Sequence, residues 1–184
     1  CMATLHDIET HEGLNKEFQN LFKEAVRHIV GVQFRNCATI GGSIFPKLGF
    51  SDVLTAFLAC DTQVILYKKG EVPLREFIYI PTDNDILTHL YVKKDGRKTA
   101  YESFRMTETD FPTITCAMAK TQDGFETVLG ARPKHAEVVV DEVVADAFSS
   151  EEVSDYAKRV IGKLQYGSNI RGSEQYRNCL LYTS

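Results

Sequence analysis

The sequence predicts an α+β protein, with helices gathered towards the two ends and strands between them. Three observations predict it. Apolar residues recur at helical spacing within 14–30 and again within 153–164. Between about 63 and 131, short β-rich segments alternate with turns that carry Gly and Asp. Those last strands follow one another through tight turns, which makes them an antiparallel meander.

In chain order, Leu14, Phe18, Leu21, Phe22, Val26 and Ile29 make one stripe. Residues 14–30 are therefore expected as a single helix, with Gly31 as its stop. A short β-like run leads into Gly41 and Gly42. Ser51 and Asp52 open a second helix, DVLTAFLAC, because serine accepts from orphan amides and aspartate suits the positive end of the dipole. QVILY (63–67), a KKGE turn and VPL read as a hairpin, and ILTHLYV (86–92) as a strand. KKDGRK (93–98) is a charged turn with a DG step. The pattern changes there, so two parts are expected, 1–95 and 97–184. The second opens with three strands, KTAYESFRM (98–106), FPTITCAMAK (111–120) and FETVLGA (125–131), with TQDG as a hairpin turn. Ser149 and Glu152 fit a capping box, and Val153, Tyr156, Ala157, Val160, Ile161 and Leu164 follow at helical spacing. That places a helix at about 151–164 on one side of the meander. GSEQYRNCLLY would be a last helix.

With 43% hydrophobic and 25% charged residues, the chain reads as soluble and globular. Its apolar runs fall short of a membrane span, and no signal peptide is evident. The net charge is −4 with Lys and Arg dispersed, which disfavours nucleic acid and favours a protein or small-ligand partner. Five cysteines, an odd number with no CxxC, argue against disulfides, zinc or an iron–sulfur cluster on this chain, and for reduced thiols in the cytoplasm. Cys37, Cys60 and Cys116 are expected as small apolar core side chains. His6 and His11, five apart, do not share a helix face, so no metal site is expected.

The chemistry concentrates in RNCATIGGSIFPKLGFSD (35–52). Gly41 and Gly42, lacking side chains, let backbone approach a flat or anionic group. Thr39 and Ser43 add hydroxyls. Ser51 and Asp52, at a helix start, present amides to phosphate or ribose oxygens, and the aspartate can accept from ribose hydroxyls. On these residues alone the GG step is either a plain tight turn or a ligand loop.

RNCATIGG followed by SD resembles the second flavin-contacting loop of molybdenum hydroxylase flavin domains, as in xanthine dehydrogenase and aerobic carbon monoxide dehydrogenase. The resemblance implies FAD as cofactor and implicates Ala38, Thr39, Gly41, Gly42, Ser43, Ser51 and Asp52. Two positions depart from the common pattern. Ser43 stands where asparagine is frequent, and Pro46, with no amide hydrogen, stands where a small hydroxyl residue is usual. GGSIF…GFSD is most similar to the bacterial xanthine-dehydrogenase-type subunits. DILTHLYV resembles the strand that lays a leucine on the flavin ring, which implicates Leu87; an ordinary core leucine is the alternative. YESFRMTETDFPTI resembles the start of the family's C-terminal domain. Arg105 falls there where a cation would stabilise an anionic reduced flavin, or where it is a surface salt-bridge partner. GARP (130–133) and NIRGSEQYR (169–177) resemble later markers, with Asn169 in place of the usual aspartate.

The implied architecture is the second lobe of a PCMH/vanillyl-alcohol-oxidase-type FAD-binding domain, then a carbon-monoxide-dehydrogenase-flavoprotein C-terminal-like domain of three antiparallel strands plus helices. The implied role is electron transfer. Electrons come from iron–sulfur clusters, pass through FAD, and go to NAD or another acceptor. The molybdenum cofactor and 2Fe-2S clusters sit on partner subunits. No general base or nucleophile is implied. The family's first lobe, with its phosphate-wrapping glycine loop, has no counterpart here. The chain therefore reads as incomplete at both ends, with the Leu-Leu-Tyr-Thr-Ser tail as a translation or cloning artefact, and as a weak FAD binder alone. A non-catalytic interaction module and a different flavoprotein with a similar lobe are the alternatives.

Overall fold

The computed structural model describes residues 1–81, 83–142 and 149–183. Ser184, the end of the tail, lies outside them.

Helix α1 (Leu5–Thr10) opens on a capping box: Asp7 N donates to Thr4 Oγ1 at 3.0 Å and Thr4 N donates to the Asp7 carboxylate at 2.7 Å. The expected helix at 14–30 is two helices, α2 (Glu12–Glu17) and α3 (Leu21–Val26). Gln19 and Asn20 adopt positive φ of 44° and 64° and break it. The cause lies far away in sequence. Thr99 donates its hydroxyl to Phe18 O and its amide to the Gln19 side chain, both at 2.6 Å, which satisfies the interrupted backbone. The stripe still buries one face, since Phe18, Leu21, Phe22 and Val26 are all inaccessible to solvent. Gly31 does not end a helix but caps the start of α4 (Val32–Cys37). The β-like run is thus mostly helical, and only Ala38 and Thr39 are extended, with Thr39 bridging Thr4. Arg35 grips Glu9 with two nitrogens at 2.8 and 3.0 Å, which locks α4 to α1.

Gly41 and Gly42 lie inside a short helix, α5 (Ile40–Ile44), capped by Thr39. Helix α6 (Asp52–Leu58) begins as expected, with Ser51 Oγ accepting from Leu54 N at 3.1 Å. Every residue of α6 is buried, so this apolar helix is the centre of the core. Phe57 packs on Phe22 with ring centroids 4.6 Å apart.

The hairpin forms from β1 (Thr62–Leu66) and β2 (Gly70–Pro73), with Gly70 at φ 75° supplying the left-handed turn residue. A one-turn helix, α7 (Leu74–Phe77), follows, and β3 (Leu87–Val92) pairs with the other edge of β1. The meander contains β4 (Lys98–Phe104), β5 (Ile114–Lys120) and β6 (Phe125–Gly130), the three expected strands. A fourth, β7 (Glu137–Asp141), adds to the edge of β6. Period-two alternation splits this sheet between two cores. Tyr101, Ala117 and Val128 face the cluster built on α3 and α6, and Ile114, Leu129 and Val139 face a second cluster. That second cluster is closed by Tyr156, Val160 and Ile161 of α8 (Ser150–Gly162), whose Ser149–Glu152 capping box is present. The sheet is therefore covered by α8 on one side, as expected, and by α3 and α6 of the preceding part on the other. Helix α9 (Glu174–Thr183) comes last. All five cysteines are free thiols. Cys60 is buried, with its thiol pushed up to about 12 by burial, but Cys37 is exposed and is no core residue.

Candidate functional site

The chain from Thr39 to Asp52 folds back so that the start of α5 lies beside the start of α6. Hydroxyls do the stitching. Gly42 N donates to Thr39 Oγ1 at 3.1 Å, Ser43 Oγ donates to Thr39 O at 3.1 Å, and Ser51 Oγ donates to Ser43 O at 3.2 Å. Beside this seam is a cleft of about 470 Å³, inside the range usual for small-molecule sites. Seven of the nine nominated residues line it: Ala38, Thr39, Gly42, Ser43, Ser51, Asp52 and Arg105. Gly41 does not. It is turned inward, where a side chain would come within 2.9 Å of Cys1. Leu87 does not either; it is 7% exposed and pairs with Leu66 in the main core. Pro46 is also off the cleft.

At the floor, Arg105 and Asp52 form an ion pair in which both side chains are under a tenth exposed. Tyr101 donates its hydroxyl to the same Asp52 oxygen at 2.6 Å, and Arg105 Nη1 donates to Asp110 O at 2.7 Å. Burial raises the Asp52 carboxyl above its ordinary range, against the opposing pull of Arg105 and of Tyr101. Burial and the facing carboxylate hold the Tyr101 hydroxyl well above its usual value, so it stays a donor. Arg105 is thus neither a surface salt-bridge partner nor an uncompensated cation.

The amides of the glycine loop are already bonded. Gly41 N goes to Cys1 O, Gly42 N to Thr39 Oγ1 and Ser43 N to Thr39 O, because this stretch closes a helical turn. Toward the cleft the loop presents the bare Gly42 backbone and the Thr39 hydroxyl, whose oxygen accepts and whose own hydrogen is left to donate. The rim is apolar and open: Val30, Phe34, Leu48, Phe50 and Phe111 are all more than a third exposed. Among the described residues no group of three or more His, Cys, Asp or Glu is placed to hold a metal, and no helix is long and apolar enough to cross a membrane.

The family described as FAD binding domain in molybdopterin dehydrogenase matches residues 1–92, half of the chain. The chain belongs to that family. A curated relative of this FAD-binding domain, the glyceraldehyde dehydrogenase medium chain of Sulfolobus acidocaldarius, is 27% identical over 96% of the chain and 69% of its own length. Among solved structures, carbon monoxide dehydrogenase from Hydrogenophaga pseudoflava, in a form lacking the Mo-pyranopterin moiety of the molybdenum cofactor, matches with TM-score 0.83. The identity is 20%, over 98% of this chain and 69% of that one. Quinoline 2-oxidoreductase from Pseudomonas putida 86 matches with TM-score 0.85 at 16% identity, over 98% and 68%. At such identities the likeness carries the fold, a mixed α and β arrangement shared with these proteins.

FAD is the cofactor of the family, and the cleft suits part of it. An open apolar rim fits a flat ring system, the bare backbone at Gly42 admits close approach, and buried Arg105 Nε has no partner among the described residues. The Gly41, Gly42 and Ser43 amides, already bonded within the chain, do not face the cleft as free donors. Three residues at or beneath the cleft carried little signal in the sequence. Tyr101 was hidden in ordinary strand alternation. Phe50 and Phe111, exposed aromatics within polar loops beside SD and TETD, carried the only available signal.

Proposed function

We propose that this chain forms one wall of the FAD site in an oxidoreductase of the molybdenum hydroxylase kind, of xanthine dehydrogenase type and cytoplasmic. The observation that carries this reading is the convergence of Ala38, Thr39, Gly42, Ser43, Ser51, Asp52 and Arg105 on one open, apolar-rimmed cleft. FAD, when bound, supplies the redox chemistry. The protein's part is placement. The Thr39–Ser43–Ser51 seam fixes the loop, Gly42 leaves room, and Asp52, Arg105 and Tyr101 form a rigid polar floor beneath the apolar rim. In the assembled enzyme, electrons would arrive from iron–sulfur clusters on one partner subunit, fed by a molybdenum centre on another, and leave to NAD or another acceptor. The division into a flavin lobe (1–95) and a C-terminal part (97–184) belongs to the same proposal, as does inactivity in isolation. With the Gly41, Gly42 and Ser43 amides already occupied, affinity of the isolated chain is expected to be weak.

The test is amide-resolved NMR of the chain titrated with FAD. Shifts should appear at 38–43, 51–52 and 105. Gly42→Val should remove them without changing the unfolding transition, because position 42 is exposed and only Thr39 Oγ1, 3.1 Å from an added Cβ, must yield. A wild-type spectrum untouched by FAD at millimolar concentration, or a Gly42→Val spectrum that shifts as wild type does, rules the site out.

A further inference from the structure

A second cleft, of about 630 Å³, opens beyond the rim of the first. Phe50 lines both. Phe50 and Phe111 meet edge-on with centroids 4.6 Å apart, and the Arg171 guanidinium lies 4.9 Å over the Phe111 ring, so a stack of three side chains stands between the two spaces. Its floor is built by a close backbone approach. Ala131 N donates to Gly49 O at 2.7 Å, and a Cβ at Gly49 would fall 2.1 Å from Lys134 O. Ala131 is held there at φ 55°, a costly conformation for a residue with a side chain.

The lining is rich in donors and poor in free acceptors. Its one carboxylate, Glu137, is committed to Arg132. Among the described residues Lys134 bonds the neutral Gln165 side chain and no carboxylate. Arg171 is ion-paired with Asp110 at 3.6 Å, a partly exposed contact longer than a hydrogen bond, so its guanidinium keeps hydrogens to donate. Asn169 Oδ1 is occupied by Arg171 N and Arg177 Nη2, which leaves its amide hydrogens as donors. Tyr79, 65% exposed, and Phe50 supply aromatic faces. Two cations and an amide in a space far larger than an inorganic ion, beside aromatic surface, suit an anion that carries a ring.

We propose that this second cleft binds a phosphate-bearing ring compound of the nucleotide class, held by Lys134, Arg171 and Asn169. The flavin reading above bears only on where that nucleotide comes from: the adenylate end of FAD reaching past the Phe50–Phe111 wall, or a separate nucleotide.

The experiment uses the 184-residue chain, with AMP and riboflavin as separate probes followed by amide-resolved NMR. AMP should shift amides at 131–135 and 169–171, and riboflavin, which has no phosphate, should shift 38–43 and leave these unmoved. Lys134→Glu should weaken AMP about tenfold or more, the scale of charge-assisted hydrogen bonds, and leave riboflavin shifts intact, and Arg171→Glu should weaken AMP as well. Lys134→Gln, at an exposed position, repeats the test with little risk to folding. AMP that leaves 131–135 and 169–171 unshifted, or affinity unchanged in these variants, overturns the proposal. AMP binding without any riboflavin response would sustain this cleft while removing the flavin reading. Competition by FAD assigns the site to its adenylate end; AMP binding undiminished by FAD assigns it to a second nucleotide.

Discussion

Arg177→Met should cost about 4 kcal/mol or more of folding stability, which places it among the most damaging single substitutions in the chain. Arg177 is wholly inaccessible to solvent, and among the described residues no carboxylate is paired with it. Its charge is met by oxygens alone. Nε donates to Thr113 O at 2.8 Å, Nη1 to Gly167 O at 2.7 Å and Gly172 O at 2.5 Å, and Nη2 to Asn169 Oδ1 at 2.6 Å. Methionine replaces much of the volume but donates nothing, so the buried Thr113 O loses its partner at roughly 1–3 kcal/mol, and three part-buried acceptors lose theirs at less than that each. Arg177→Lys should recover only part, because a single ammonium cannot span a fork of acceptors. Chemical denaturation of the two variants checks this. A loss near 1 kcal/mol in Arg177→Met would mean that water reaches these carbonyls and that the arginine is no hub. Those same acceptors fix the segments holding Phe111, Pro112, Asn169 and Arg171, so the variant should also loosen the wall between the two clefts.

Where structure follows from neighbours in sequence, it was legible. Ser51 and Ser149 announce their helices because a cap satisfies amides two or three residues away, and the hairpin of β1 and β2 is specified by its own turn. The stripe from Leu14 to Ile29 misled because what breaks it is Thr99, some 80 residues on, and periodicity carries no trace of that bond. β7 has a run of three valines but no turn signal ties it to β6, so only the pairing reveals it. The cleft was legible in outline because its loop is contiguous. Its inward and outward faces were not. Gly41 and Gly42 are adjacent, yet one meets Cys1 and the other meets the cleft, and that depends on α5 being helical. Tyr101 and Arg105 converge on Asp52 from a strand whose place is set by the sheet and not by its own residues.

Arg105→Ala should cost about 3–5 kcal/mol, because it strands Asp52 where it is almost fully buried. The loss should depend on pH. With Arg105 present, the Asp52 carboxyl already sits above its ordinary range through burial, and removing the guanidinium removes the main opposing pull. The folded value therefore rises further above the unfolded one. A group with a raised folded value favours folding fully below the unfolded value, and that advantage is lost as pH climbs through the folded value. The deficit of Arg105→Ala relative to wild type should thus be largest at neutral pH and shrink as pH falls through the raised folded values at which Asp52 takes up a proton. Adding Asp52→Asn should restore part of the stability at neutral pH, since an amide accepts from Tyr101 without carrying a charge into the interior. Unfolding curves for wild type, single and double variants from pH 4 to 8 decide the matter. A deficit that stays constant with pH, or a double variant no more stable than Arg105→Ala, would show that the arginine acts through packing of its stem and not through Asp52. In that event the polar floor of the cleft would owe its rigidity to contacts other than the ion pair.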